Sequence, residues 1–267
     1  MSRPRRLDWA AYPAPDLGID PMRTIAVLPV AAVEQHGPHL PLGVDMMIAE
    51  GMLETLRALC PEDLDIRILP VQAVGKSNEH LWAPGTLTLS AETALRAWVE
   101  IGLSVARAGV RKIVLINSHG GNTDLVSIVS RELRVQAGML AVKAHWAAFG
   151  APEGMYPPQE ERFGIHGGDI ETSLMLHFRP ELVEMERAAR FESAAQGAPI
   201  PPVGSVALGW IATDLNPAGV VGDASIATAE KGRATAAHQA RGMVALLRDL
   251  AALPLEGLPP AVPGTAG

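Results

Sequence analysis

Four side chains of the kinds that bind metal ions lie within a dozen positions, and they are Glu34, His36, His39 and Asp45. The glycines and prolines between them disfavour a regular helix or strand, so the side chains can converge. Imidazole nitrogens and carboxylate oxygens suit Zn²⁺ or Mn²⁺, and one carboxylate can bridge two ions. A solvated polar loop would carry the same residue types. Four of them at the end of a predicted strand nevertheless favour a metal site with His36 and Asp45 among its ligands.

A second cluster follows another apolar run, in the segment Asn117-Ser-His119-Gly-Gly-Asn122. It adds an imidazole, and its glycines let backbone or a ligand approach closely. A glycine-rich turn before a helix could instead hold a phosphate group at the helix N-terminus. Because the segment lacks the lysine and the longer pattern of a P-loop, phosphate binding is the less favoured interpretation.

A third cluster, His166-Gly-Gly-Asp169-Ile-Glu171-Thr-Ser173, lies where a helix is predicted to begin. Asp169 is interpreted as a cap of that helix. Glu171 could extend its carboxylate into a cleft, or it could be a first-turn glutamate that interacts favourably with the helix dipole. The residues alone leave both roles of Glu171 open.

A polar loop over residues 75–86 contains Ser77, His80 and Trp82 and is predicted to line a substrate pocket. An ordinary surface connection is the alternative, although most connections have about 4–6 residues and the greater length favours a function. Trp146 follows the fourth predicted strand, where it could form a stacking wall for a substrate or fill the core.

The elements between these clusters indicate how the clusters are brought together. Apolar runs predict strands, and apolar residues at helical spacing predict helices. The predicted strands are residues 24–30, 66–74, 112–117 and 139–144, and the predicted helices are 46–59, 90–108, 123–136, one that begins within 168–173 and ends before 180, and 226–253. This alternation is typical of an α/β protein, here a three-layer α/β/α domain with a mostly parallel central sheet. Ligands bind at the carboxyl ends of such strands, where two of the histidine clusters lie.

The predicted single domain spans residues 24–253, after an N-terminal segment of residues 1–23 and before a loose tail of residues 254–267. Residues 151–161 are predicted to form a loop or lid. The periodicity of residues 187–217 is too weak to predict regular structure there.

The composition of the 267-residue chain excludes several classes of protein. Hydrophobic residues make up 48% and charged residues 19%, which is typical of a folded globular protein. A net charge of −7 gives no basic surface for nucleic acid. There is one cysteine, no apolar stretch of about 18 residues that could span a membrane, and no apolar region after the basic first residues to form a secretory signal. We therefore expect a cytoplasmic protein with a small-molecule partner.

Taken together, the motifs resemble those of the creatininase (creatinine amidohydrolase) family over roughly residues 24–235. Five ordered motifs carry the resemblance, and they are Glu34-x-His36-Gly-x-His39-Leu-Pro-x-x-x-Asp45, Ser77-x-x-His80-x-x-x-Pro84-Gly85-Thr86, Asn117-x-His119-Gly-Gly-Asn122, His166-x-Gly-x-x-Glu171-Thr-Ser173 and Gly219-Val-x-Gly222-Asp223. The resemblance implies a compact α/β fold and hydrolysis of amide carbon–nitrogen bonds other than peptide bonds. It also implies two divalent metal ions per chain, zinc or manganese with Fe²⁺ as a further option, and a homo-oligomer that is commonly a hexamer.

The resemblance further implies a role for individual residues. Asp45 corresponds to the carboxylate that bridges the ions, Glu34 and His119 to ligands of one ion, and His36 to a ligand of the other. Glu171 is then the candidate that completes the second ion.

Creatininases proper carry a glutamate two places after the histidine that corresponds to His119, and Gly121 stands there in this chain. This departure argues against creatinine as the substrate. His166 resembles the histidine that polarises substrate or moves a proton, so His166 and Glu171 are the predicted catalytic residues, and His39 is expected to support the ligands. The residues predicted to bind substrate are Ser77, His80, Trp82, Gly120, Gly121, Asn122 and Trp146.

The favoured hypothesis is hydrolysis of a small or cyclic amide by a water that two metal ions activate. Family members with the Gly-Gly-Asn version of the second motif suggest alternatives, a deformylase of a formamidopyrimidine nucleotide or a maturation peptidase of a redox peptide cofactor. The deformylase would need basic residues near the site, and Lys76 is the evident one in the motif loops. A non-catalytic protein that binds a metal or ligand on the same fold is the remaining alternative.

Overall fold

The central sheet is built from four parallel strands, in a computed structural model that describes residues 5–262. The strands are β1 (Ile25–Val30), β2 (Ile66–Ile68), β3 (Lys112–Asn117) and β4 (Leu140–His145), in the order β2-β1-β3-β4. All residues of β1 and β3 are buried, as expected for strands that are covered on both faces. Val30 pairs with Asn117, and Asn117 pairs with His145, so the segments that follow β1, β3 and β4 leave the sheet at one edge.

Helices cover both faces of this sheet. The helices among residues 5–262 are α1 (Val44–Leu59), α2 (Ala91–Arg107), α3 (Thr123–Ala137), α4 (Pro158–Phe163), α5 (Asp169–Phe178), α6 (Ala212–Leu215) and α7 (Ala229–Ala252). Side chains of α1, α5 and α7 pack on one face of the sheet, and side chains of α2 and α3 pack on the other. The predicted three-layer α/β/α architecture with a parallel sheet is confirmed.

Alternation along β1 divides its side chains between the two cores. Ile25 and Val27 contact the α1, α5 and α7 side, whereas Ala26 and Leu28 contact the α2 and α3 side. The approach of α7 to α5 needs a glycine, because a Cβ atom on Gly232 would overlap the carbonyl oxygen of Ser173. The packing of α5 against α7 fixes the helix on which Glu171 lies.

Three predicted elements differ from the structure. The second strand is much shorter than 66–74, because Pro70 offers no N–H group to the ladder, and pairing resumes as a single bridge between Val30 and Gln72. Residues 151–161 are not all loop, since α4 begins at Pro158. A two-stranded antiparallel sheet joins β5 (Arg190–Phe191) to β6 (Gly222–Asp223), within and beyond the region predicted to lack regular structure.

Both chain ends are described in part, and residues 1–4 and 263–267 of the predicted N-terminal segment and tail lie outside the described residues. In the described part of the predicted tail, Val262 donates its N–H to the carbonyl oxygen of Val135 at 2.9 Å and Arg134 donates to the carbonyl oxygen of Pro259 at 3.0 Å. Among the described residues, no helix combines the length and apolar character needed to cross a lipid bilayer.

Candidate metal centre

The loop after β1 brings the first cluster to the carboxyl edge of the sheet. Its two ends are joined by a hydrogen bond from the N–H of Glu34 to the carbonyl oxygen of Leu42 at 2.8 Å. Gly37 adopts φ +75°, a conformation that favours glycine, and a side chain there would also strike Val220. The loop therefore turns tightly and holds Glu34 and His36 in a buried position.

Asp45 lies between two groups of ligand atoms. It is the second residue of α1, where the positive end of the helix dipole favours a carboxylate. One of its oxygens, Oδ2, lies 3.4 Å from Nδ1 of His119, and the other, Oδ1, lies 3.8 Å from Nε2 of His36. A single carboxylate thus faces both groups, which is the arrangement a bridging ligand needs.

Each group contains three possible ligands. Glu34, Asp45 and His119 form the first, with Oε1 of Glu34 lying 3.2 Å from Nδ1 of His119. His36, Asp45 and Glu171 form the second, with Oε2 of Glu171 lying 3.6 Å from Nε2 of His36. In both groups the three ligand atoms lie within 4.8 Å of one another, close enough to bind one cation.

Several of these atoms are buried without a hydrogen-bond partner among residues 5–262. They are both carboxylate oxygens of Glu34, Nε2 of His36 and Oδ2 of Asp45. A buried polar atom without a partner destabilises a protein by about 1–3 kcal/mol, and more when it is charged. Cations bound between these atoms would satisfy all four, so the residues present fit divalent metal ions.

Hydrogen bonds also orient both imidazoles toward the two groups. His119 places Nε2 3.0 Å from the carbonyl oxygen of Lys76, which can accept a hydrogen bond but cannot donate one. His36 places Nδ1 3.1 Å from the carbonyl oxygen of Glu34. In the neutral form that binds a metal ion, each ring would therefore carry its proton on the outer nitrogen and present the lone pair of the other nitrogen to the cation.

The electrostatics of the metal-free site reflect the crowding of carboxylates. Burial lowers the pKa of His119, but Glu34, Asp45 and Glu79 outweigh burial and raise that pKa to about 10. Burial and the charge of Glu34 raise the pKa of Asp45 well above its usual value and that of Glu171 to about 7. Without metal, the site accordingly keeps protons to offset its negative charge, and a cation would replace them.

His166 lies against the ligands, with its ring centroid 4.1 Å from that of His36 and 4.3 Å from that of His80. Its Nε2 donates to the carbonyl oxygen of Gln35 at 2.7 Å, and its Nδ1 lies 3.5 Å from Oε1 of Glu34. Burial and the neighbouring His36 lower the pKa of His166 well below its usual value. The ring is therefore neutral, with a free lone pair on Nδ1 facing the centre.

Gln35 is a site residue that the sequence prediction missed. Its Oε1 accepts the N–H of Gly37 at 3.0 Å, and its Nε2 donates to the carbonyl oxygen of Gly219 at 2.6 Å and to Nδ1 of His80 at 2.8 Å. His80 then carries its proton on Nε2, which lies 3.4 Å from Oε1 of Glu34. The sequence feature that could have identified Gln35 is an amide side chain between two predicted ligands in a tight loop.

Two of the residues predicted to bind substrate instead make hydrogen bonds that hold the loops around the site in place. Ser77 lies with Oγ 3.3 Å from Nε2 of His119 and donates its N–H to Thr88 at 2.8 Å. Asn122 is fully buried, accepts the N–H of Lys76 at 3.0 Å and donates to the carbonyl oxygen of Ala31 at 3.0 Å. Their described hydrogen bonds join the protein's own loops together.

The remaining predicted substrate residues divide between the surface and the core. Gly120 is exposed, Gly121 is half-buried, and Trp82 is 46% exposed and packs against Gly219. Trp146 is 2% exposed and packs in the core, with its ring centroid 6.3 Å from that of Phe149. Its burial argues against a stacking wall for substrate.

Glu160 is a second buried residue that the sequence prediction missed, because its segment was expected to be a loop. One carboxylate oxygen accepts the N–H of Asp169 at 2.7 Å, and the other accepts the N–H of Asp223 at 2.8 Å. Glu160 thus joins α4 to the start of α5 and to β6. The signal was Pro157-Pro158 before charged residues, since proline is favoured in the first turn of a helix.

His39 supports α5, with Nε2 3.0 Å from Oγ1 of Thr172 and its ring stacked on Phe191. Burial lowers the pKa of His39 from 6.5 to about 4. Between these values the unfolded chain binds a proton that the folded chain does not, so this contribution to stability is complete above pH 6.5 and is lost as the pH falls toward 4.

We therefore expect metal-free His39→Gln to lose less stability on acidification than the metal-free wild type, by about 1.4 kcal/mol per pH unit in this window. Urea unfolding in EDTA at about pH 7 and about pH 5 measures the slope. A variant whose slope equals that of the wild type would contradict the assignment to His39.

Comparison with known proteins matches the chain to one family model, described as creatininase, creatinine amidohydrolase, over residues 14–247. A mycofactocin precursor peptide peptidase of Mycobacterium tuberculosis is 35% identical over 214 residues, which cover 78% of each chain. A creatinine amidohydrolase of Pseudomonas putida is 32% identical over 196 residues, which cover 68% of this chain and 73% of that protein.

Solved structures agree with this match. A structure described as a manganese creatininase has a TM-score of 0.70 and 24% identity, and covers 86% of this chain and 92% of that chain. A creatininase variant described as the Zn–Zn type has a TM-score of 0.69 and 26% identity over the same shares. The first likeness shows the fold, and both descriptions name metals that suit the donors gathered around Asp45.

Proposed function

Because the chain belongs to the creatininase family and is a hydrolase of carbon–nitrogen bonds, we propose that it cleaves an amide with a water activated at a dinuclear metal centre. The observation that carries this proposal is the set of buried ligand atoms of Glu34, His36 and Asp45 without hydrogen-bond partners among the described residues. They come together with His119 and Glu171 at the carboxyl edge of the sheet, where α/β proteins bind ligands.

Asp45 would be shared by the two ions, Glu34 and His119 would complete the ligands of one, and His36 and Glu171 those of the other. Zinc and manganese both suit this mixture of imidazole and carboxylate. When bound, the ions would lower the pKa of a metal-bound water and polarise the amide carbonyl.

His166 is the group of this chain best placed to move the proton. Its Nδ1 faces Glu34 at 3.5 Å, and the hydrogen bond from Nε2 to Gln35 fixes which nitrogen is free. We propose that Nδ1 accepts a proton from the attacking water and delivers it to the departing nitrogen. His80 would present Nε2–H to the same region.

Three protein ligands in each group leave room for water or substrate, as a catalytic metal site requires. This favours an enzyme over the non-catalytic alternative. The deformylase alternative needs a cation for the nucleotide, and the evident one, Lys76, is paired with Glu79 at 3.1 Å. A small or cyclic amide therefore remains the leading substrate.

A second candidate substrate is an amide bond in a peptide. It is favoured by the 35% identity to the mycobacterial peptide peptidase over 78% of each chain. The exposed Gly120 directly follows the buried His119, and the exposed Trp82 lies in the same loop as the buried His80, so both would offer an extended substrate an accessible surface. The predicted cytoplasmic location and homo-oligomer remain predictions.

Metal analysis of protein purified without added metal tests the proposal, and we expect close to two ions per chain. EDTA should abolish hydrolysis of the active member of a panel of lactams, small amides and short peptides, and Zn²⁺ or Mn²⁺ should restore it. A folded wild-type protein that binds neither metal would contradict the proposed function. The substrate that is cleaved decides between the two candidates.

A further inference from the structure

The segment Lys76–Glu79 packs against the outer nitrogen of His119. Around Nε2 of His119 lie the carbonyl oxygen of Lys76 at 3.0 Å, Oγ of Ser77 at 3.3 Å and Oε1 of Glu79 at 3.5 Å. The other carboxylate oxygen of Glu79 binds the ammonium group of Lys76 at 3.1 Å. A carboxylate outside the two ligand groups thus lies behind one of their imidazoles.

Gly121 makes this packing sterically possible. A Cβ atom at this position would overlap Oε1 of Glu79 and Nε2 of His119, and it would lie 2.5 Å from the carbonyl oxygen of Lys76. Any larger side chain at this position would be excluded by the same contacts. The absence of a side chain at Gly121 and the position of Glu79 therefore depend on each other.

We propose that Glu79 is a positioning residue that holds His119 with Nδ1 directed at Glu34 and Asp45 and increases the affinity of this group for a metal ion. The inference rests on the proposed metal site. A carboxylate behind a metal-binding imidazole fixes the ring orientation and makes the ring a stronger ligand. Lys76 partly neutralises Glu79, so the two side chains act on a bound cation with opposite signs.

This opposition gives the test. Glu79→Gln keeps the shape and removes the charge, and we expect it to weaken Zn²⁺ binding about 10- to 100-fold, as other losses of such supporting partners do. Lys76→Met keeps the carbonyl oxygen that His119 contacts and removes a positive charge, so Zn²⁺ should bind at least as tightly as to the wild type. Competition with a chromophoric chelator measures both affinities without using activity.

Two further variants complete the design. Gly121→Ala should weaken Zn²⁺ binding without changing any charge, because the methyl group would displace Glu79 and His119. Glu100→Gln removes a carboxylate from the exposed pair of Arg96 and Glu100, which are 3.0 Å apart, and should leave the affinity unchanged. Circular dichroism and thermal unfolding establish that each variant folds.

If Glu79→Gln and Lys76→Met weaken Zn²⁺ binding to the same extent, the ion pair between Lys76 and Glu79 only fixes the conformation of the loop. The inference is then overturned. It is also overturned if neither Glu79→Gln nor Gly121→Ala changes the affinity. A folded wild-type chain that binds no Zn²⁺ would instead contradict the proposed function itself, so the two failures are distinguishable.

Discussion

Replacing Asp45 by asparagine should prevent the binding of both metal ions and lower kcat/KM by roughly 10³-fold or more, since the ions would supply both the nucleophile and the stabilisation of the oxyanion. The reason is geometric. Asp45 belongs to both ligand groups, with Oδ2 3.4 Å from Nδ1 of His119 and Oδ1 3.8 Å from Nε2 of His36. The asparagine offers an amide in place of one oxygen and no negative charge.

The same substitution should not destabilise the metal-free protein. Burial and the charge of Glu34 raise the pKa of Asp45, so the carboxylate is costly in the absence of metal and a neutral side chain removes that cost. In contrast, Zn²⁺ at about 100 times its Kd should stabilise the wild type by about 2.7 kcal/mol and leave the variant unchanged. Thermal unfolding with and without Zn²⁺, beside metal analysis, separates loss of binding from loss of fold.

Asp124 offers a matched control, because it is the second residue of α3 as Asp45 is the second residue of α1. Both carboxylates interact with a helix N-terminus, but Asp124 is exposed and lies outside the ligand groups. Asp124→Asn should keep the metal content and the activity. An Asp45→Asn protein that still binds two ions would contradict the bridging role.

That two of the histidine clusters meet could be predicted from the sequence, because both follow the ends of strands whose apolar runs are unambiguous, whereas the family resemblance supplied the roles of individual ligands. Parallel pairing brings the segments after Val30 and Asn117 to one edge, so two sequence clusters far apart in the chain had to meet. Glu171 remained open on the residues alone, since a first-turn glutamate can serve a helix as well as a metal. The position of α5 against α1 and α7 places its carboxylate beside His36.

The supporting residues could not be predicted in the same way, because their roles depend on close packing between distant segments. Gln35 acts through the backbone of Gly219, which lies far along the chain. Glu160 accepts backbone N–H groups from two other segments. Trp146 had the residue type for a substrate wall, and only the packing of the helices around β4 shows that it is buried. The sequence pattern thus identifies reactive side chains at strand ends, whereas tertiary contacts decide which other residues orient those side chains.

Such orientation matters most for the proton transfer. His166→Gln should lower kcat by about 10²- to 10⁴-fold, the usual contribution of a positioned general acid and base. Glutamine can still donate to the carbonyl oxygen of Gln35, but it has no group that both accepts and returns a proton at the position of Nδ1. Because Glu34, His36, Asp45, His119 and Glu171 are unchanged, the variant should keep its metal content.

A substrate series makes this prediction specific. When a nitroanilide is cleaved, the nitroaniline leaving group departs without much help from a proton donor. The variant should therefore keep a larger share of wild-type kcat on a nitroanilide than on an alkyl amide. His166 also offers a ligand atom within 4.8 Å of ligand atoms of Glu34 and His36, so it could serve as a metal ligand instead. In that case His166→Gln would lose metal and the loss of kcat would be the same for both leaving groups. Retained metal with a leaving-group-dependent loss assigns His166 to the proton.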